Sequence, residues 1–419
     1  MLHPAPRFHG VFQAGMIFGL FILFLMGMSI PSHAEVNLYG YFSVNYEDVG
    51  ETPDGSNDPG EFAYPHFNLM MQSKLSDQVR TFISLAGDDA STVNVRNIWG
   101  EYFVRDYLKF RVGKVYRPFG LFNEKLDAVP TYLGIEPPEL FDGDHLMLPR
   151  TGTLMVHGFL PVGNNSINYA LMTGNKEVLD EGKPISWDLR YNLGSSWIFG
   201  TSGYYSEEKG SPIGVGEGPP PGGILPWMAS DTYTVLGGYI QTRWDQFTIK
   251  AAYWTANHDA VRDPEQVALL SNAGLNTTQL ERFGLDNYDP TNPTDLSMIK
   301  TDGSYTVSTY YIRLGYTLPE GTIPGFSWEV TPFVFWDSYS NPETIASKTF
   351  GGDNEAGLAE DGVFQKPTTG IVLKPSSNVA FKIDASSHMY KWVDPTDPGA
   401  GSKSVSYQEI RFDVSYLFR

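Results

Sequence analysis

The chain has 419 residues, with 29 Lys and Arg against 48 Asp and Glu, and a formal net charge of −19. Nucleic-acid binding needs a basic surface that neutralises phosphates, so this charge excludes nucleic acid as a partner. Cysteine is absent, which excludes disulfides, thiolate metal sites, iron–sulfur clusters and thiol catalysis. Aromatic residues make up 14% of the chain beside 43 Gly and 29 Pro, a composition that fits neither a disordered chain nor a helical one.

Residues 1–34 have the pattern of a secretory signal peptide. Arg7 precedes an apolar run over 16–28, and Ser32 and Ala34 are the small residues that a signal peptidase reads. An uncleaved membrane anchor is the alternative, but the run is short for a span of ~20 residues. We therefore predict cleavage near Ala34, which leaves 35–419 as one domain.

The mature chain alternates apolar and polar residues with a period of two. In the last segment the apolar residues are Ile410, Phe412, Val414, Tyr416 and Phe418, and the polar ones are Glu409, Arg411, Asp413 and Ser415. In the first segment Val36, Leu38, Phe42, Val44 and Tyr46 alternate with Asn37, Ser43, Asn45 and Glu47. Successive side chains point to opposite faces of a strand, so each predicted strand has one apolar and one polar face.

About sixteen such strands are predicted, and their connections differ in length by position. Every second connection is short, as at 194–195 and 244–246, and most of the others are long, as at 117–151 and 257–304. Short turns at one end and long loops at the other are typical of a transmembrane β-barrel. We predict an all-β fold, a single transmembrane antiparallel β-barrel of about 16 strands.

A strand-built structure can span a membrane only when it closes on itself, because hydrocarbon leaves no partner for unpaired backbone groups. The apolar face then contacts lipid and the polar face lines the interior. A barrel of this size is wide enough for an aqueous lumen.

Three motifs carry a resemblance to a known family. They are LYGYF at 38–42, GKVYRPFG at 113–120 and FDVSYLF at 412–418. The chain resembles a Gram-negative outer-membrane porin, and is most similar to the phosphate-selective porin O/P type. The resemblance implies a water-filled channel without enzymatic activity, in contact with outer-membrane lipid and lipopolysaccharide. A homotrimer is an expected option. The strongly negative charge differs from what a dedicated phosphate channel needs.

Segment 117–151 follows the fifth predicted strand, and in general porins this loop folds into the lumen and narrows it. Its charged residues are mostly carboxylates. The predicted constriction-loop residues are Arg117, Glu124, Lys125, Asp127, Glu136, Glu139, Asp142 and Asp144, with His145 beside them. The alternative is a solvated outer loop.

The polar strand faces predict the charged wall of the lumen. The candidate wall residues are Arg80, Arg111, Arg190, Lys250, Lys382, Asp384, Glu409 and Arg411. With Arg105, Glu101, Asp188, Glu329 and Asp413 on the same faces, seven basic groups stand against six acidic ones, so the negative excess lies in the loops. Charged rings set ion preference, and we therefore expect passive diffusion of ions and small hydrophilic solutes with a modest cation preference.

Other readings of the sequence stay open. A non-conducting barrel could act as a scaffold or sheath for a periplasmic partner. The mature histidines could serve an enzyme, although no nucleophile elbow or HExxH helix is present. Carboxylates near Asp54 have the partial spacing of a calcium loop but lack its glycine and distal Glu. We expect no metal and no cofactor.

Overall fold

A computed structural model describes residues 35–53, 55, 58–62, 65–87, 92–125, 133–138, 150–175, 183–209, 215, 224–292, 296–394 and 396–418. The strands are β1 Glu35–Val49, β2 Asp58–Phe62, β3 His66–Lys74, β4 Val79–Gly87, β5 Asn94–Arg105, β6 Leu108–Tyr116, β7 Arg150–Val162, β8 Asn165–Gly174, β9 Ile185–Leu193, β10 Trp197–Lys209, β11 Met228–Trp244, β12 Phe247–Arg262, β13 Tyr305–Tyr316, β14 Glu329–Ser340, β15 Val363–Ser376, β16 Val379–Trp392 and β17 Lys403–Phe418.

The strands form one closed antiparallel sheet. From β3 to β17 each strand pairs with the next, and β1 pairs with both β3 and β17. Closure between the first and last strands runs from the pair Gly40 and Phe418 to the pair Val49 and Glu409. The short β2 pairs with the far end of β1 and continues the line of β3, so the barrel has 16 strands. This confirms the predicted fold class.

The two faces of the wall match the period-two pattern. In β17 the side chains of Glu409, Arg411 and Asp413 point inward and are buried, whereas Ile410 and Phe418 are exposed on the outside. Apolar residues also cover the outside of the other strands, for example Leu236 on β11 and Leu171 on β8. The outer surface of the barrel is therefore an apolar band.

Several strands extend further toward the long loops than predicted. Strand β12 continues to Arg262, although the sequence pattern indicated an end near residue 256. Two of the three outward-facing residues of this extension, Asn257 and Asp259, are polar, and the third is Val261. Hydrophobic alternation stops there because the wall rises above the apolar band, while backbone pairing to β11 and β13 continues.

Among the described residues, three short α-helices occupy long connections that were predicted as plain loops. They are Pro264–Leu269, Thr277–Phe283 and Asn354–Leu358. The side chain of Asp263 caps the first, and Asn276 with Gln279 forms a capping box on the second. Gly284, at φ 76°, ends the second helix in the left-handed region. Among the described segments, no helix is long and apolar enough to cross a membrane.

In the described residues, loop segments pack mainly on one side of the barrel, and the lumen face of β6–β8 has a smaller buried cluster of Val115, Met155, Ala170 and Met172. We call the lumen face of β10–β17 the filled side, because segments 117–123, 133–138, 224–228, 264–292, 296–303 and 341–362 contribute side chains that bury it. Its core includes Trp227, Trp254, Phe283 and Tyr311. We call the lumen face of β3–β8 the open wall. Several of its side chains are partly exposed: Arg80, Phe82, Trp99, Phe103, Lys109, Arg111 and His157.

Candidate functional site: the lumen and the loop that crosses it

The connection after β6 turns into the barrel immediately. Arg117 is fully buried, and its Nη1 donates to Ser186 Oγ on β9 at 3.2 Å. The backbone N–H of Gly120 donates to Ser202 Oγ on β10 at 3.0 Å. Asn123 Nδ2 donates to the Arg117 carbonyl at 2.7 Å, which closes this part of the loop on itself. Gly120, at φ 63°, occupies a left-handed position that the turn requires.

Two phenylalanines then hold the loop against the opposite strands. The ring of Phe119 stacks on Trp254 of β12 with centroids 5.6 Å apart. Phe122 packs edge-on against Tyr311 of β13 at 5.5 Å, and the Lys250 ammonium lies 4.9 Å from its ring centroid. Buried aromatic pairs of this kind add specific geometry to hydrophobic burial. The loop is therefore a packed element of the lumen.

Segment 133–138 lies against the far wall of the barrel. Lys366 Nζ on β15 lies 2.5 Å from Glu136 Oε2, and the Arg411 guanidinium on β17 also pairs with this carboxylate. Arg313 Nη1 on β13 donates to the Glu136 carbonyl at 2.9 Å. The carboxylate thus lies between two cations far from the strands that begin and end the loop.

Backbone contacts fix the same segment to β16. Lys382 Nζ donates to the Gly134 carbonyl at 2.9 Å, and the Ile135 N–H donates to Asp384 Oδ2 at 3.0 Å. Because the loop starts beside β6 and reaches β13–β17, it crosses the lumen. Residues 126–132 and 139–149 lie outside the described residues.

The predicted constriction-loop residues have different environments. Arg117 anchors the loop and is fully buried against Ser186 and Tyr204. Glu124 is partly exposed, and its Oε2 lies 3.6 Å from Arg190 Nη2. Lys125 ends a short helical turn, Asn123–Lys125, and its side chain lies outside the described atoms. The remaining predicted residues, Asp127, Glu139, Asp142, Asp144 and His145, lie outside the described residues.

On the open wall, cationic groups lie over aromatic rings. Arg80 and Lys109 lie 4.7 and 5.0 Å from the ring centroid of Phe103. Arg111 lies 4.0 Å from the Trp99 centroid and donates from Nε and Nη2 to Glu101, at 2.9 and 2.6 Å. These contacts hold long cationic side chains along the wall and keep the lumen clear of them.

The other wall candidates also lie on the lumen face and are paired. Arg190 Nε donates to the Tyr239 hydroxyl at 3.1 Å, and that hydroxyl donates to Asp188 at 2.8 Å. Glu409 lies between Arg411, Lys366 and His388, with His388 Nε2 at 2.8 Å. Most charges of the described wall therefore have a partner of opposite sign close by, and the wall is nearly neutral.

Several charged residues of the lumen were not among the predicted wall residues. Arg313 Nη2 pairs with Asp337 Oδ2 at 2.8 Å, and Lys366 binds Glu136. The same alternation would have identified them, because Arg313 lies between Ile312 and Leu314 and Asp337 follows Trp336. No sequence pattern, however, identifies the distant residues with which they pair.

A buried histidine–carboxylate pair is the nearest approach to catalytic geometry. His258 Nδ1 lies 2.8 Å from Asp231 Oδ2, and neither side chain is exposed. The imidazole is sandwiched between Tyr233 and Tyr305, with centroids at 4.9 and 4.2 Å. A solute in the lumen has no route to this pair, so its geometry is that of a wall contact.

A cavity of about 150 Å³ opens beside the loop on the open wall. Its lining includes Tyr41, Trp99, Asn97, Arg111 and Glu124. It therefore presents aromatic rings, amide and hydroxyl groups and charges of both signs to the lumen. In the part of the chain that the structure describes, no group of three or more His, Asp or Glu residues is arranged to hold a metal ion.

Comparison with known proteins shows the fold. No protein-family profile and no curated protein sequence matches the chain. The structure is similar to that of OmpT, an outer membrane protein of Vibrio cholerae in trimer form, with 9% identity, 92% of this chain and 100% of that one covered, and a TM-score of 0.54. It is also similar to the outer membrane channel DcaP of Acinetobacter baumannii (10% identity, 94% and 99% covered, TM-score 0.53).

A third similar structure is an anion-selective porin from Comamonas acidovorans, with 12% identity, 92% of this chain and 100% of that one covered, and a TM-score of 0.53. The coverage shows that the likeness extends over almost the whole chain. At such low identity it establishes the architecture alone: a closed barrel of the porin kind.

Proposed function

We propose that this protein is an outer-membrane porin that allows passive diffusion of ions and small hydrophilic solutes. The observation that carries the proposal is the arrangement of the lumen. One loop crosses a closed 16-strand barrel and packs on the filled side, while the open wall keeps partly exposed polar and charged side chains. An apolar outside with a hydrated inside is the property that a diffusion channel requires.

The passage runs along the open wall. Arg80, Lys109 and Arg111 lie flat on aromatic rings there, and the cavity beside Glu124 opens into the lumen. On the filled side many of the corresponding inward positions are buried, and Val235 and Ala256 are completely covered. Solutes therefore pass between the crossing loop and β3–β8.

A modest cation preference follows from the loop. The wall charges are largely paired, so they compensate one another. The crossing loop adds Glu124 near the passage and carries Asp127, Glu139, Asp142 and Asp144 in its remaining part. Carboxylates act over a Debye length of ~8 Å at physiological salt, which is comparable to the radius of a narrow passage.

The reversal potential across a salt gradient tests this preference. The wild-type channel should favour cations, and the preference should fall as salt rises. Neutralising Asp142 and Asp144 together should reduce it more than neutralising Glu281 and Asp286, which lie in another long connection. A clear anion preference would contradict the proposal and would support the phosphate-selective type that the motifs resemble. An unchanged potential in the Asp142/Asp144 variant would place these two residues outside the passage.

The cellular setting belongs to the same proposal. The signal-like segment 1–34, with cleavage near Ala34, would direct the chain through the inner membrane, and the apolar band would contact lipid and lipopolysaccharide. The trimer form of the similar Vibrio cholerae OmpT supports a homotrimer here. Cross-linking in isolated outer membranes should yield a trimer; a monomer under the same conditions would contradict that part of the proposal.

One observation favours the second candidate, a non-conducting barrel that serves a periplasmic partner. The filled side contains a hydrophobic core inside the barrel, which an open diffusion channel does not need. Single-channel recording separates the two functions. Stable unitary conductance of the purified protein supports the channel, whereas a silent barrel supports the scaffold.

A further inference from the structure

Two long loops and a short segment form a folded unit at the loop end of the filled side. We call residues 224–228, 263–292, 296–303 and 341–362 the cap. Its side chains Trp227, Val267, Leu270, Phe283 and Ile345 are buried together with wall residues such as Tyr305 and Tyr339. The cap therefore has a core of its own that continues into the wall.

Hydrogen bonds join the two loops of the cap directly. Gln279 Nε2 donates to the Gly357 carbonyl at 3.0 Å, and Thr278 Oγ1 donates to Glu360 Oε1 at 3.3 Å. Arg282 Nη2 donates to the Glu360 carbonyl at 3.3 Å. Because these bonds connect the loop after β12 with the loop after β14, the two loops form one unit.

A buried ion pair connects this unit to the wall. Arg262, the last residue of β12, donates from Nε and Nη2 to the two oxygens of Glu343 at 2.6 and 2.7 Å. Trp227 Nε1 lies 3.3 Å from Glu343 Oε1, and Arg262 Nη1 donates to the Lys300 carbonyl at 3.2 Å. The side chains of the pair are 5% and 3% exposed. The guanidinium also lies 5.2 Å from the Phe283 ring centroid.

The pair thus contacts all three segments of the cap from one position on the wall. A buried pair with bidentate geometry is tolerated only while both charges are present, because removing one partner leaves the other unpaired in a dry site. Replacing both charges with apolar side chains of similar volume removes that penalty. Comparing the single replacements with the double replacement therefore tests whether this ion pair holds the cap against the wall.

We propose that the Arg262–Glu343 pair is the latch that keeps the cap seated in the mouth of the barrel, and that loss of either partner releases the cap as a unit. Release uncovers the inward face of β10–β14, including Tyr233 and Val307, and widens the mouth. This consequence for conductance rests on the proposed channel function, whereas the release itself does not.

Limited proteolysis and single-channel recording test the latch together. In Glu343→Ala and Arg262→Ala, cleavage within 264–303 should be at least about tenfold faster than in the wild type, because proteolysis follows the population of the open form. Unitary conductance should rise in the same variants. The double variant Arg262→Met/Glu343→Leu should return both quantities to wild-type values.

The control is the exposed pair Lys374 and Glu329, 3.1 Å apart at the opposite end of the barrel. Its double alanine variant should change neither cleavage nor conductance. Heat-modifiable migration on gels verifies that the barrel of each variant has assembled. If Glu343→Ala does not assemble, Glu343→Gln is used in its place. Wild-type cleavage in both single variants overturns the latch. A cap released in a barrel that never conducts supports the latch and overturns the channel.

Discussion

The open wall and the filled side of the lumen are built from the same kind of strand but have opposite environments. On the open wall Arg80, Lys109 and Arg111 lie on ring faces and remain partly exposed. On the filled side most inward positions are buried, and Trp254 and Val307 have no measurable exposure. Strand alternation therefore determines which residues point inward, and the long loops determine which of these still contact water.

The ion pairs of the two regions also differ in their contact with water. Arg313 and Asp337, on the filled side, form a buried pair covered by the crossing loop. Arg111 and Glu101, on the open wall, form a comparable pair whose arginine borders the cavity. A buried pair contributes to the position of a loop, whereas a pair beside water also acts on passing ions.

The largest difference between the two regions should appear in stability. Trp254→Ala removes a fully buried ring that stacks on Phe119, and should lower the free energy of unfolding by about 3–5 kcal/mol. Trp99→Ala on the open wall should cost clearly less, since its ring is partly exposed and part of its contact is with Arg111. Urea titration of the barrel in lipid bilayers, followed by circular dichroism, measures both. Equal losses would mean that the two regions are packed alike.

Removal of one carboxylate from each region should separate their effects on selectivity. Glu124→Gln removes a carboxylate beside the passage, so the reversal potential should move toward anions. Glu136→Gln should move it in the same direction by less, because Glu136 lies on the filled side and its partners Lys366 and Arg411 still pair with Glu409. The two potentials are measured under the same salt gradient. A larger shift in Glu136→Gln would assign the controlling charge to the filled side.

The smallest effect should come from Lys109→Ala. Its ammonium lies over Phe103, and losing such a contact should cost about 0.5–1 kcal/mol. Removal of a cation from the passage should also strengthen the cation preference slightly. Urea titration measures the stability change and the reversal potential measures the selectivity change. An unchanged reversal potential would show that Lys109 does not face the passage.

The barrel could be predicted from the sequence because it depends on features that can be seen along the chain. Alternation in β1 and β17 and the parity of loop lengths both reflect the closed sheet, and the structure confirms 16 strands. The lumen face of the candidate wall residues followed from the same alternation. The outer limits of β11 and β12 did not follow, since polar residues continue the strand above the apolar band.

The contents of the lumen could not be predicted in the same way. The helix caps at Asp263 and Asn276 are local signals that indicate short helices, but they do not say where the helices pack. The contacts of Glu136 with Lys366 and of Arg262 with Glu343 join residues 230 and 81 positions apart. A single sequence carries no pattern for such pairs, and they determine which side of the barrel is filled.

The most direct test of this account uses the absence of cysteine. Single cysteines at Lys109 on the open wall and at Ala256 on the filled side can be exposed to a charged methanethiosulfonate reagent during recording, with the cysteine-free wild type as background. Lys109→Cys should react rapidly and its current should fall in steps. Ala256→Cys should remain unmodified over the same time. Rapid modification and block at Ala256, with no reaction at Lys109, would contradict a passage along the open wall.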